Sequence, residues 1–318
     1  MDKANGHPPQ ELARLVSRAG LAKARLGYPE YVIKSFLGGV FISLGALADL
    51  VVAAGAPGLR ESNPGVATML AAFIFPMGFV LVILCNVELA TSNMFVMIIT
   101  TLQRKTSIWD LTKNWVISYT FNLAGCLFFA GFLAWWSDTL DSDTATAYAV
   151  TQAEGRVNVQ WSVNLLRGVG CNWLVALAFF LSIGSKDYIS KIYSIWIPIW
   201  VFVLLGYQHS IANFFLVPIG MFYGTNFGTG KFIYQSVIPV TLGNIIGGSL
   251  FGGAAFWYLY GRNEGIDSST GQPLNAQQQD KDTKKMEKDR RVNGGDPGRG
   301  QTDGFQGPYD RNNMVDAV

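Results

Sequence analysis

The chain has 318 residues, half of them hydrophobic and only 14% charged, with a formal net charge of +2 at pH 7. Most charges fall in the first 34 residues or beyond Tyr260, so the long middle of the chain has the composition of a membrane-embedded protein and not of a water-soluble domain. No basic face recurs, which argues against a nucleic-acid partner, and the charge is best read as topology.

Residues 1–30 form a polar leader, expected to be disordered and cytoplasmic, without the apolar core and small-residue cleavage site of a removable signal. A bilayer crossing takes ~20 apolar helical residues. Six runs qualify: Tyr31–Ala54, Gly65–Met97, Ile108–Trp136, Val159–Ile183, Ile189–Phe222 and Phe232–Tyr260. The second and fifth carry polar interruptions, Asn86 with Glu88 and Gln208 with His209. Arg18, Lys23, Arg25 and Lys34 precede the first run, Arg104, Lys105 and Lys113 follow the second, and Lys186 and Lys191 follow the fourth, which places those loops and both termini in the cytoplasm. The transport domain is thus 31–261. The tail, 262–318, is rich in Gly, Asp, Gln and Lys and is expected to be a disordered, solvated cytoplasmic segment.

Cys85, Cys126 and Cys171 lie in apolar runs, where buried thiols are common, and imply neither a disulfide framework nor redox chemistry. No phosphate-binding loop, zinc helix, nucleophile elbow or Ser/His/Asp cluster is present, so an enzyme is a weak reading and no metal or cofactor is expected. The glycines Gly38, Gly39, Gly168, Gly170, Gly243, Gly247 and Gly248 suit close helix packing in a membrane.

A weak internal repeat organises the runs. Ser92-Asn93-Met94-Phe95-Val96-Met97 resembles Ala212-Asn213-Phe214-Phe215-Leu216-Val217, and Asn122-Leu123-Ala124-Gly125 of the third run resembles Asn244-Ile245-Ile246-Gly247 of the sixth. Three spans followed by three related spans have opposite orientations, an inverted repeat. Two breaks at membrane depth must face a shared interior, since lipid cannot satisfy free backbone groups. Asn93 and Asn213 are expected to cap the half-helices that follow, whose positive dipole ends then favour an anion. His209 sits at the centre of the second break, where its protonation can respond to an arriving charge. Thr91 offers a hydroxyl and Asn172 an amide, and Phe75, Phe79 and Phe202 are candidates for apolar collars above and below this polar waist.

Gly206-Tyr207-Gln208-His209-Ser210-Ile211-Ala212-Asn213, the break Leu89-Ala90-Thr91-Ser92-Asn93 and Ile238-Pro239-Val240-Thr241-Leu242-Gly243-Asn244-Ile245-Ile246-Gly247-Gly248 together resemble the formate/nitrite transporter family. The resemblance implies an all-α, aquaporin-like inverted repeat of six helices assembled as a homopentamer in the plasma membrane, with a separate pathway in each protomer. By position it implies His209 as the central histidine, Thr91 and Asn172 as its polar companions, Phe75 and Phe202 as an outer constriction, and Phe79, Ala90 and Val175 as an inner one. Arg156 stands where many members have a vestibule lysine, and Gln208 replaces the glutamate that usually precedes the histidine. Ala90 is smaller than the residue often found at its position. The long polar tail resembles fungal members, and the resemblance therefore implies nitrite as substrate, with a proton moving alongside and membrane lipid as surroundings. Formate or another weak-acid anion is the alternative. An aquaglyceroporin-like channel for neutral solutes is a further one, weakened because Asn63-Pro64-Gly65 is the sole approach to its paired motifs and lies in a loop.

Overall fold

A backbone at membrane depth must bond its own amides, and the apolar runs do so as helices. The computed structural model describes residues 6–262, which are helical apart from turns and one isolated bridge between Gly6 and Ser185. The order begins α1 (Pro9–Ala24), α2 (Tyr28–Ala54), α3 (Pro57–Ser62), α4 (Pro64–Ile74), α5 (Pro76–Leu84), α6 (Ala90–Leu102) and α7 (Ile108–Phe128). It continues with α8 (Asp143–Val157), α9 (Trp161–Gly184), α10 (Tyr188–Leu204), α11 (Ser210–Phe222), α12 (Thr229–Phe232) and α13 (Ile238–Ile245). π-Helical stretches extend the third and sixth crossings at Phe129–Trp135, Ile233–Val237, Ile246–Ala254 and Trp257–Gly261. The expected tail beyond Arg262 lies outside the described residues.

Among the described residues five helical stretches are long and apolar enough to cross a membrane, Tyr28–Ala54, Pro64–Leu84, Ile108–Trp135, Trp161–Gly184 and Thr229–Gly261. The remaining crossing is divided between α10 and α11, whose 17 and 13 residues each fall short of the ~20 needed. The second crossing likewise ends at Leu84 and is followed by the 13-residue half-helix α6. Large apolar side chains such as Phe73, Trp136, Leu166 and Leu250 point outward, as a bilayer-facing surface requires.

Local sequence explains the starts. Proline occupies the first turn of α1 to α5, where its missing N–H costs nothing. Ser107 and Asp110 form a reciprocal capping box on α7, with Ser107 Oγ accepting from Asp110 N at 3.1 Å and Ser107 N donating to Asp110 Oδ2 at 3.0 Å. Asp187 caps α10 by accepting the Ser190 amide at 2.8 Å, and this bond holds its exposed carboxyl below the ordinary carboxylate range.

The leader is not disordered over residues 9–24. Leu12, Val16 and Ala19 fall on one face of α1 and bury against Phe95, Val96 and Ile99 of α6 and Phe179 and Phe180 of α9. That i, i+4, i+7 spacing is a core-facing stripe, and it outweighs the polar average of the segment.

The two halves of the chain repeat one packing pattern. α2 lies against α7, and α9 against α13 and the π-helical stretch after it. In each pair glycine replaces side-chain bulk at the crossing. A Cβ on Gly39 would collide with the Asn122 carbonyl and one on Gly125 with the Phe36 carbonyl; in the second half Gly243 meets the Leu165 carbonyl and Gly247 the Val169 carbonyl. Backbone cannot retreat as a flexible side chain can, so Gly39→Val or Gly243→Val should overpack its pair by about 1–3 kcal/mol. The expected outcome is a clearly lowered melting temperature of the purified protein, whereas the same change at Gly131, which faces open space, leaves it within experimental scatter.

Candidate functional site

Both breaks are built to the same plan. After α5 the chain turns through Asn86, held at φ 49°, and after α10 through Gly206, at φ 68°. Each turn then runs extended into a half-helix: Leu89 precedes α6 and His209 precedes α11. An asparagine from the third or sixth crossing satisfies the exposed backbone. Asn122 Oδ1 accepts from Ala90 N at 2.8 Å while its Nδ2 donates to the Glu88 and Ser35 carbonyls. Asn244 Oδ1 accepts from Ser210 N at 2.8 Å, and its Nδ2 donates to the Gln208 carbonyl at 3.0 Å and the Gly168 carbonyl at 2.9 Å. Glu88 N reaches Lys34 O, just as Gln208 N reaches Arg167 O.

Asn93 and Asn213 therefore do not cap the half-helices. Each sits inside the first turn, because its own amide already bonds the carbonyl of Leu89 or His209. Their side chains instead reach back five residues, Asn93 Nδ2 to Glu88 Oε2 at 2.8 Å and Asn213 Nδ2 to Gln208 Oε1 at 3.0 Å. The capping falls to His209, whose Nδ1 accepts from Ala212 N at 3.0 Å.

That bond fixes the imidazole chemistry. With Nδ1 an acceptor, the neutral ring carries its proton on Nε2, which lies 2.9 Å from Thr91 Oγ1. Nε2–H donates to the threonine, and the Thr91 hydroxyl hydrogen is left for another acceptor. A second proton on the ring would have to displace the Ala212 amide from Nδ1. Asn172 Nδ2 ties this corner together by donating to the Thr91 carbonyl at 3.1 Å and the Asn244 carbonyl at 2.7 Å. Among the described residues, the buried acceptors Asn172 Oδ1 and Asn93 Oδ1 and the buried hydroxyl Ser210 Oγ have no partner.

Two cavities flank the waist. On the side of α8, a cavity of about 30 Å³ is lined by Phe75, Phe202, His209, Arg156, Tyr207 and Asp49. A single water needs ~10–15 Å³ by this measure, so the space suits a solute of two or three heavy atoms. Phe75 and Phe202 meet edge to face at 5.7 Å, and Phe202 stacks on the His209 ring at 5.9 Å. Arg156 donates to Gln152 Oε1 at 2.9 Å and Gln208 Oε1 at 3.3 Å, with Asn213 Oδ1 at 3.5 Å, the limit of a bond. On the side of α1, a cavity of about 70 Å³ is lined by Lys23, Lys34, Lys191, Glu88 and Ser92. Lys23 and Glu88 pair there at 2.7 Å and are both buried. Phe79, Ala90 and Val175 are buried in one apolar cluster with Leu89.

Three features escaped the sequence reading. Arg156 was found, but the helix α8 that carries it was not, since its polar, low-contrast composition reads as a loop. Leu89 sits at the repeat position of His209 and supplies apolar bulk beside the small Ala90; aligning the two breaks residue by residue exposes it. Asp49, a carboxylate inside the first apolar run, lines the α8-side cavity and was overlooked although ionisable groups are rare at that depth. His209→Asn should separate structure from chemistry, because asparagine keeps the cap but not the ring contact with Thr91. Thermal unfolding should place His209→Asn within about 1 kcal/mol of wild type, whereas His209→Ala, which loses the cap as well as the ring contact, should lose about 1 kcal/mol more.

The model of the family described as formate/nitrite transporter matches residues 10–258. A probable formate transporter of Methanothermobacter thermautotrophicus is 38% identical over 267 residues, covering 79% of this chain and 96% of the relative. Among solved structures, an FNT family ion channel superposes with a TM-score of 0.71 at 24% identity over 78% of this chain and 98% of that one, a likeness of fold. A pentameric formate channel with formate bound gives a TM-score of 0.63 at 26% identity, over 74% and 99% of the two chains.

Proposed function

The chain belongs to the formate/nitrite transporter family, and from that premise we propose that it carries a small monovalent anion, nitrite in the first place, across the plasma membrane together with a proton. One observation carries the reading: the Thr91–His209 hydrogen bond joins the N-terminal ends of two half-helices between cavities that each present a cation.

Arg156 and the α11 dipole draw the anion into the α8-side cavity, beneath the Phe75–Phe202 pair. The Thr91 and Ser210 hydroxyls then donate to the anion in place of lost water, and the Asn172 amide oxygen accepts only from the protonated acid. Magnitudes decide that contacts alone are insufficient. Desolvating an ion of this size costs of order 20 kcal/mol in the idealised limit, whereas a hydrogen bond to a charged group returns ~1.5–3 kcal/mol. A proton that travels with the anion removes most of the penalty, and the passing species crosses the apolar cluster of Phe79, Leu89, Ala90 and Val175 as the neutral acid. The ring presents its Nε2–H to the pathway, and a proton added to the neutral ring enters at Nδ1 by displacing the Ala212 amide. No bond of the solute other than O–H is made or broken, and the chain acts as a transporter, not an enzyme.

The lysines lining the α1-side cavity support a cytoplasmic orientation of that face and of both termini. Homopentameric assembly is supported by the pentameric formate channel that this fold matches, and the outward apolar side chains provide the surface for neighbouring copies and lipid.

Formate is the second reading, favoured by the name of the Methanothermobacter relative. Nitrite and formate are both bent O–X–O monoanions of a weak acid, and the waist offers each the same hydroxyl, amide and imidazole groups. Uptake of labelled nitrite and formate into vesicles holding the full chain, measured at several external pH values, separates them. Expected are saturable nitrite uptake that rises as external pH falls, weaker uptake of formate, and loss of both in His209→Ala. Uptake of formate alone replaces nitrite with the second reading, and uptake of neither removes the anion reading.

A further inference from the structure

The two half-helix networks match in position and differ in charge. On the α1 side Glu88 receives Lys23 at 2.7 Å and Asn93 at 2.8 Å, so the cation is neutralised on the break itself. On the α8 side the same places are held by Gln208, Arg156 and Asn213. Gln208 is an amide, and among the described residues the hydrogen-bond partners of Arg156 are all neutral side chains: Gln152, Gln208 and Asn213. A guanidinium in a low-dielectric site without a carboxylate is costly, and one partner of a broken pair leaves an uncompensated charge.

A carboxylate stands nearby on a different element. Asp49 of α2 lines the same cavity of about 30 Å³ as Arg156. The other ionisable groups lining the cavity are Tyr207 and His209, neither of which supplies a negative charge at neutral pH. α2 also packs against α8, which carries Arg156, and α11, which His209 precedes.

We propose that Asp49 is the counter-charge of Arg156, doing for this half of the repeat what Glu88 does for Lys23, and that it sets how tightly the α8-side vestibule holds an anion. The second clause rests on the anion reading above. Moving the carboxylate off the break and onto α2 has a specific effect. The guanidinium stays on Gln208, beside the α11 N-terminus, and a solute in the cavity meets both an attracting and a repelling charge. The vestibule concentrates anions without trapping them.

The pairing is tested without any transported solute by a double-mutant cycle on the purified full chain in lipid nanodiscs, read as melting temperature for wild type, Asp49→Asn, Arg156→Gln and the pair. The expected result is a pair that loses much less than the sum of the single losses, and a Gln208→Glu change that returns Asp49→Asn toward the wild-type value. Strictly additive losses, with no rescue by Gln208→Glu, overturn the pairing. The control of affinity is read in vesicles with labelled nitrite and formate. Asp49→Asn should lower KM about three- to tenfold with Vmax little changed and steepen its rise with salt, Gln208→Glu should raise KM by a similar factor, and the double variant should return within about twofold of wild type. KM shifts of the same sign in the two single variants, or none in Asp49→Asn, overturn it. Asp49→Glu, which keeps the charge, should match wild type. If Asp49→Asn fails to reach the membrane, Asp49→Glu and Gln208→Glu decide: a wild-type KM in the first with a raised KM in the second supports the proposal, and an unchanged KM in Gln208→Glu overturns it. If wild type takes up neither anion, the transport reading falls while the melting cycle still decides whether Asp49 and Arg156 are paired.

Discussion

Everything at the centre of this molecule depends on how two interruptions in the helical backbone are satisfied far from water. An unbonded amide or carbonyl at that depth costs several kcal/mol, and each interruption exposes several at once. Asn122 and Asn244 meet this demand with a side chain that accepts and donates together, bridging the half-helix, the residue before it and a neighbouring crossing. Neither a hydroxyl nor a carboxylate offers that combination of donors and acceptors. The glycines at the α2–α7 and α9–α13 crossings belong to the same solution, because the asparagines reach their targets only where the helices approach without side chains between them.

With the backbone satisfied from outside the breaks, the residues on the breaks are released for other work. His209 turns its ring onto its own half-helix through Nδ1 and toward Thr91 through Nε2, so one imidazole is both a structural cap and part of the polar waist. Glu88 and Gln208 are likewise free to engage a cation, and that is where the halves diverge: one neutralises its lysine directly, whereas the other offers its arginine a neutral amide in a cavity that Asp49 also lines.

Much of this was legible in the chain itself. Polar residues inside long apolar runs marked both breaks, and the two short likenesses, Asn93 with Asn213 and Asn122 with Asn244, announced the repeat. The roles within the repeat were misassigned for a physical reason. Asparagine is a favoured cap, so Asn93 and Asn213 drew attention, but the backbone enters the helix four residues earlier, and apart from the local cap by His209 the first amides are met by Asn122 and Asn244 from distant segments, which no local pattern encodes. Helix α1 was missed because its apolar stripe is diluted by arginines and a lysine, and α8 because its composition has little apolar contrast. Asp49 was missed because a lone carboxylate in an apolar run has no meaning until its facing charge is known, and Arg156 lies in α8, six helices further along the chain, which only the fold brings near.

The scaffold has a pseudo-twofold relation between its halves, yet Leu89 and His209 occupy the same place in it. A symmetric frame with identical residues at that point would present equal hills to a particle climbing from either side. Substituting an isobutyl group for an imidazole on one side alone breaks that equality, so the profile along the axis is lopsided, and inward and outward steps need not share a rate even when the driving forces are matched.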